Sequence, residues 1–302
     1  MDSSSPYYSQ VQLLVRTLPV VAKQSCFALK GGTAINLFIR DLARFSVGID
    51  LTYLPVDHDR IEAFKAIELG LAAIAADLER QLGCEVKTSR KDGGVSKLFV
   101  ESGGARVKIE VSPVLRGCVH TPSTRSVTEL VEDEFGFAEM QVLDFYDLYA
   151  GKLCAALDRQ HPRDLYDVKL LLEREGISTE LKDTFLVYLM SHHRPIAEVL
   201  APKWRDFEQS FTEEFKGMTV RSVTVEELVE TREILVTKIM TQLSERDRTF
   251  LLSFKLGQPD WNEFWYPDAQ KLPAIRWKLQ NIAKMSGTKH EAALQKLKTV
   301  LE

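Results

Sequence analysis

The sequence predicts an α+β protein: an N-terminal part that mixes strands and helices, followed by an all-α part. Three observations carry this. Apolar residues alternate between helical and strand-like spacing up to residue 111, a Pro-, Gly-, Ser- and Thr-bearing segment at 113–126 interrupts the pattern, and beyond it the periodicity is helical almost throughout. The expected domains are residues 1–122 and 123–302, with 113–126 as the linker.

In chain order, residues 10–25 place Val11, Leu14, Val15, Leu18, Val21 and Ala22 on one helical stripe. Phe27 to Leu29 read as a short buried strand ending at Lys30-Gly31-Gly32, where glycine permits a tight turn and close backbone approach to a ligand. Residues 33–42 carry a helical face of Ala34, Leu37, Phe38 and Leu42, with Thr33 as the expected N-cap. Amide groups at such a helix start suit a phosphate. Residues 46–54 alternate as a strand bearing Asp50 and are closed by Pro55.

A long helix is expected over 58–82, from Ile61, Phe64, Ile67, Leu71, Ile74, Leu78 and Leu82. A meander follows at 84–88, 97–101 and 106–111, with turns at Asp92-Gly93-Gly94 and Ser102-Gly103-Gly104. In the last strand Val107, Ile109 and Val111 share one face, so Lys108 and Glu110 point to the other. Helices are expected at 144–159, 163–175, 178–191, 197–200, 225–244 and 272–301.

Composition excludes several classes. A net charge of -4 with a pI near 6.0 gives no global electrostatic footprint for nucleic acid, so any RNA contact requires a local basic patch. Cys26, Cys84, Cys118 and Cys154 show no CxxC or Cys/His spacing, as expected for reduced thiols in the cytosol. His120, His161, His192 and His193 form no ligand spacing with Glu or Cys, which argues against zinc. MDSSSPYYSQ lacks the features of a secretory signal, and no apolar run approaches the ~20 residues that span a bilayer, so a cytoplasmic protein without membrane contact is expected. Trp204, Trp261, Trp265 and Trp277 read as core or interface anchors.

Two stretches carry chemistry. Moving a nucleotidyl group requires a cradle for the triphosphate, carboxylates for Mg²⁺ and cations facing the developing charge. Gly31-Gly32 and the following helix can supply the cradle, and strands bearing Asp50 and Glu110 can offer oxygen ligands. In the second stretch, residues 149–172, Lys152, Asp158, Arg159, Arg163, Asp164 and Asp167 sit among Leu153, Leu157, Leu165, Val168 and Leu172. Taken alone, Gly31-Gly32 is an ordinary turn, Glu110 a solvated strand position, and the 152–167 cluster a helix surface stapled by ion pairs such as Asp164 with Arg163 or Lys169, each worth ~0.2–0.5 kcal/mol.

The run KGGTAINLFIRDLARFSVGIDLTYL resembles the signature of the AbiEii-type toxins, in the polymerase-β-like nucleotidyltransferase superfamily, where a Gly-Gly turn precedes an Arg-x-Ser-x-Asp-x-Asp strand. VKIEV resembles that family's third carboxylate strand, KLCAALDRQHPRDLYDVKLLL its helix-turn-helix motif and FLLSFKLGQPDW its C-terminal segment. The resemblance implies a polymerase-β-like N-terminal lobe and a helical second lobe that contributes active-site residues. It implies that Gly31, Gly32, Thr33 and Ser46 bind the triphosphate, that Asp50 and Glu110 hold metal, that Lys152 contacts phosphate and that Asp164 is the second-lobe carboxylate, with Arg163 at a less discriminating nucleotide-binding position. It further implies Mg²⁺ as cofactor, an NTP as substrate, RNA (the 3′ end of tRNA) as acceptor with arrest of translation, and a cognate antitoxin, expected to be a winged-helix regulator.

Position 48, where the first Asp of the Asp-x-Asp pair is expected, is Gly. The strand therefore offers one carboxylate, and Mg²⁺ binds weakly when few carboxylates are offered. The expectation is an impaired enzyme, with two alternatives: a pseudo-nucleotidyltransferase that binds nucleotide or a partner without turnover, and an enzyme that modifies a protein hydroxyl.

Overall fold

The computed structural model describes residues 5–91 and 94–302, so Asp92 and Gly93 of the expected turn lie outside the described residues. The chain forms two compact units, Met1–Asp144 with Gly217–Ser222, and Phe145–Lys216 with Val223–Glu302.

The first unit contains, in order, α1 (Pro6–Val21), β1 (Phe27–Lys30), α2 (Gly31–Phe38), β2 (Gly48–Tyr53), α3 (Arg60–Leu82), β3 (Glu85–Lys91), β4 (Gly94–Ser102), β5 (Ala105–Val111), β6 (Ser123–Ser126), α4 (Glu129–Phe135) and β7 (Glu139–Val142). The strands form one mixed sheet in the order β3-β4-β5-β2-β1-β7-β6. β2 runs antiparallel to β1 and parallel to β5, and β1 runs parallel to β7.

Period-two alternation separates two populations of side chains on the central strands. Ile49, Leu51, Leu98, Val107, Ile109 and Val111 are buried, together with Val11, Leu14, Val15 and Leu18 of α1 and Ile67, Leu71, Ile74 and Leu78 of α3. Burying each such Val, Leu or Ile contributes about 1.5–3 kcal/mol, and this core fixes the register of the strands. The alternate positions, among them Asp50, Lys108 and Glu110, therefore share the other face.

The second unit contains α5 (Phe145–Asp158), α6 (Pro162–Arg174), α7 (Thr179–Ser191), α8 (Ile196–Leu200), α9 (Glu208–Glu214), α10 (Val225–Gln242), α11 (Glu245–Leu256), α12 (Pro273–Ala283) and α13 (Gly287–Leu301). α5 packs against α6, α7 and α8, α10 against α6, and α11 against α12 and α13. No helix among the described residues is long and apolar enough to cross a membrane.

Several local expectations are corrected. The segment 113–126 is not all linker: its last residues are β6, and 123–144, expected in the helical domain, adds β6, α4 and β7 to the sheet unit. β6 reads STRS and is mostly exposed, so it carries no apolar alternation to detect. The expected helix at 33–42 ends at Phe38, and Asp41 and Leu42 take left-handed φ values of 53° and 57°. That reversal is held by Leu42 N donating to Asn36 O at 2.7 Å, with the Leu42 side chain buried. The expected helix at 272–301 is two helices. Trp204, Trp265 and Trp277 are substantially exposed and are not core anchors; Arg232 and Arg246 lie over the Trp204 and Trp265 rings at 4.8 and 4.0 Å.

Candidate active site

In the sheet unit the site grows from the β1–α2 junction. Gly31 has φ 75°, the left-handed region that favours glycine, and a Cβ there would lie 2.7 Å from Asp50 Oδ2. A Cβ on Gly32 would lie 2.5 Å from Arg44 Nη2 and 3.0 Å from Ser46 Oγ. Backbone conformation favours glycine at 31, and at both positions the chain passes directly over the side chains of Asp50, Arg44 and Ser46, where α2 begins.

Thr33 is not the N-cap; Lys30 holds that position without a side-chain cap. Thr33 Oγ1 instead lies 2.5 Å from Gly48 O and 2.9 Å from Ser46 Oγ. Its single proton goes to the carbonyl, which only accepts, so the Ser46 hydroxyl donates to Thr33 in turn. Asn36 is buried and joins the same knot, donating from Nδ2 to Gly32 O at 3.0 Å and accepting from Arg44 N at 3.1 Å. Arg44 Nη1 donates to Phe45 O at 2.8 Å, and Phe45 N donates to Met218 O at 2.8 Å, which ties 217–222 to this unit. Gly31, Gly32, Thr33, Ser46 and Asp50 are thus brought together.

Glu110 joins them by strand register. Asp50 and Glu110 are directly paired across β2 and β5, so their side chains leave the sheet on one face. Glu110 is clamped: Lys97 Nζ lies 2.8 Å from Oε1 and Lys108 Nζ 2.5 Å from Oε2. Burial works to raise the Glu110 pKa, but the two lysine hydrogen bonds outweigh it and hold the carboxyl below its usual range. Lys30, paired with Asp50 across β1 and β2, is a member that sequence reasoning passed over. Burial pulls its ammonium pKa down, and Asp50 and Glu110 pull it back up. The signal was available: strand alternation through FALK sets Lys30 on the face opposite Leu29, and the register then aligns it with Asp50.

Gly48 sits in β2 opposite Lys108, and a Cβ there would meet nothing closer than Lys108 O at 3.6 Å, an ordinary contact. Sterics do not require glycine at 48. As a magnesium centre the donor set does not fit: position 48 contributes no side-chain oxygen, and both Glu110 oxygens face ammonium groups.

The helical unit holds a second charged cluster. Lys152 on α5 is buried, with Nζ 2.8 Å from Asp164 Oδ1 and 2.9 Å from Asp167 Oδ2 on α6. Arg159 adds bonds from Nε and Nη2 to Asp164 at 2.5 and 3.0 Å. The expected partners of Asp164, Arg163 and Lys169, are engaged elsewhere: Arg163 with His161 and Glu214, Lys169 with Glu173 and Glu227. Burial opposes ionisation of Asp164, yet Lys152 and Arg159 overcome it and hold its carboxyl well below the usual range. His161 caps α6 through Nδ1, accepting from Arg163 N at 3.1 Å. His192 and His193 lie with Asp158 in one group of candidate ligand atoms, a grouping with an aspartate that the spacing with Glu or Cys does not address. There Arg194 Nη1 donates to Asp158 Oδ1 at 2.8 Å, and His192 Nδ1 accepts from Arg194 N at 3.3 Å. In the neutral ring this leaves the proton on Nε2, the nitrogen that faces Asp158, so the group reads as an ion-pair cluster and not as a zinc site.

Two widely separated motifs thus keep the order and chemistry of one family, and the family model described as nucleotidyl transferase AbiEii toxin, type IV toxin–antitoxin system, matches residues 12–281. The chain belongs to the AbiEii nucleotidyltransferase toxin family. Family membership implies an NTP substrate and an antitoxin partner. The fold is similar to that of MenT4, a nucleotidyltransferase toxin from Mycobacterium tuberculosis H37Rv, with a TM-score of 0.59 over 96% of this chain and 93% of that chain at 17% identity. No curated protein matches the chain. The expected α+β class, with its mixed sheet and helical second part, agrees with both the topology and this likeness.

Proposed function

We propose that this AbiEii-family chain is a cytoplasmic toxin of the class that transfers NMP from an NTP to the 3′ end of an RNA, tRNA in the first instance, and so blocks translation, in a form whose turnover is curtailed by Gly48. The observation that carries the reading is the close approach of Gly31 and Gly32 to Asp50, Arg44 and Ser46, which leaves the start of α2 beside a carboxylate. In this reading the triphosphate lies against the Gly31-Gly32 turn and Ser46. The acceptor hydroxyl forms a bond to the α-phosphorus as the bond to the bridging oxygen of pyrophosphate breaks, and pyrophosphate leaves. Asp50, beside the turn, takes the hydroxyl proton in this reading. The residues present do not form a magnesium site; in a Gly48→Asp form, Asp50, Glu110 and the new aspartate would be the residues to hold Mg²⁺, which would supply charge neutralisation on the phosphates. Lys152 faces Asp164 and Asp167, so its assigned role is to hold Asp164 ionised and not to touch phosphate. The antitoxin is expected to be a small winged-helix regulator encoded beside the toxin.

The test is to incubate the chain and its Gly48→Asp form with radiolabelled NTPs, Mg²⁺, and RNA and protein acceptors in separate reactions. Label is expected on the RNA 3′ end. Restoring a metal donor worth several kcal/mol of charge stabilisation raises the rate on the order of 10²–10³-fold. Label only on protein would sink the RNA assignment in favour of a protein-modifying enzyme. The clamping of Glu110 by Lys97 and Lys108 favours a second reading, a pseudo-nucleotidyltransferase that binds nucleotide without turnover. That reading prevails if Gly48→Asp stays inert on both kinds of acceptor while NTP still binds.

A further inference from the structure

Four neighbouring strands of the sheet carry an ordered row of charge. Lys30 of β1 is paired with Asp50 of β2, Asp50 with Glu110 of β5, and Glu110 with Lys97 of β4. Directly paired residues emerge on the same face, so the row reads plus, minus, minus, plus across the centre of the sheet. Lys108 stands two residues from Glu110 on that face, opposite Gly48, and places its ammonium 2.5 Å from Glu110 Oε2.

Like charges directly opposite one another repel, so the adjacent Asp50 and Glu110 require a cation beside them. A divalent ion held by three carboxylates is one solution. Here the third carboxylate is missing and lysines flank the remaining two. Three lysines flank two carboxylates in this row beside the Gly31-Gly32 turn, so cationic side chains outnumber the carboxylates there. A nucleoside triphosphate is strongly anionic, and lysine is a mobile cation suited to phosphate oxygens.

We propose that Lys30, Lys97 and Lys108 take the place of the divalent cation at this site, so that the chain binds a nucleoside triphosphate without metal. The inference rests on the reading of the Gly31-Gly32 turn as the nucleotide cradle and specifies how that cradle is charged. It has a structural corollary. An aspartate at position 48 would lie opposite Lys108 and compete with Glu110 for its ammonium, freeing a Glu110 oxygen as a second carboxylate donor. Gly48→Asp would then convert metal-independent binding into metal-dependent binding.

The experiment is equilibrium titration of the full chain with ATP, GTP, CTP and UTP in turn, in excess EDTA and in excess Mg²⁺. The best-bound NTP is expected to show Kd values within about threefold in the two buffers. Lys97→Ala/Lys108→Ala, whose side chains are partly exposed and whose fold is checked by circular dichroism, is expected to lose about tenfold in EDTA and to recover when Mg²⁺ is added. Gly48→Asp is expected to raise the ratio of the EDTA and Mg²⁺ Kd values by about tenfold. Binding by the unmodified chain that weakens about tenfold or more on chelation overturns this inference and leaves the nucleotide reading standing; no binding in either buffer overturns both. The comparison on the unmodified chain needs no variant.

Discussion

Gly31 gives the sharpest test of how the β1–α2 turn is built, because a second glycine supplies its control. Gly31 and Gly83 have φ values of 75° and 62°, so alanine is strained at both, at about 1–2 kcal/mol for the backbone alone. They differ in what a Cβ meets: Asp50 Oδ2 at 2.7 Å for Gly31, and nothing within 4 Å for Gly83. Asp50 must leave its rotamer to make room, which adds about 0.5–1.5 kcal/mol. In thermal unfolding each kcal/mol corresponds to about 2–4 °C for a unit of this size. Gly31→Ala should therefore melt earlier than Gly83→Ala by a few degrees. The displaced carboxylate gives an independent readout: Gly31→Ala is expected to weaken NTP binding about tenfold or more, whereas Gly83→Ala, at the end of α3, should leave it unchanged. Equal melting temperatures together with undiminished NTP affinity for Gly31→Ala would refute the argument that the turn is packed onto Asp50.

Further outcomes follow from the charged groups. Lys152→Met leaves Asp164 and Asp167 buried without their shared cation and should cost about 3–5 kcal/mol in urea unfolding, and a cost under about 1 kcal/mol would contradict the buried-cluster reading. Asp164 has a folded pKa below its unfolded value, so its stabilisation is present above about pH 4 and is lost as pH falls through the folded value. Asp164→Asn should flatten that acid limb of the urea midpoint. His192 behaves in the same sense: burial, His193, Lys278 and Arg194 outweigh Asp158 and pull its pKa down from 6.5 to about 4. In that interval the unfolded state takes up the proton first, so stability falls by about 3 kcal/mol from about pH 6.5 to about pH 4. His192→Asn should remove most of that slope; an unchanged slope would show that His192 is not its source.

Much of this molecule was legible in its residues. The strands with β-branched alternation, such as RVKIEV, and the helices with long apolar stripes, such as 58–82, were found within a few residues of their observed ends. β6 and β7 were missed because each has four residues: β6 carries no apolar alternation, and in β7 only Met140 and Val142 are buried, too few to establish a period. The reversal at Asp41 and Leu42 was missed because a buried leucine with left-handed φ is chosen by tertiary packing against its local preference.

The site divides along the same line. Gly31, Gly32, Ser46 and Asp50 belong to one short stretch, which the family resemblance marks as a unit, and the structure brings them together. Glu110 is named by the family resemblance, but the lysines around it depend on the pairing of β2, β5 and β4, which spacing does not reveal, and neither does spacing reveal that Lys152 lies between Asp164 and Asp167. At position 48 the structure shows an ordinary strand position with room for a side chain and no conformational need for glycine.

What position 48 is proposed to lack for turnover is a carboxylate and not merely a side chain. The most direct measurement compares the rate of labelled-NMP transfer to RNA by the unmodified chain, Gly48→Asp and Gly48→Asn under saturating NTP and Mg²⁺. Asp and Asn fill the same space, so the account requires transfer to rise on the order of 10²–10³-fold with Asp and to stay near the unmodified rate with Asn. Equal rates for the two substitutions, whether both raised or both unchanged, would contradict it.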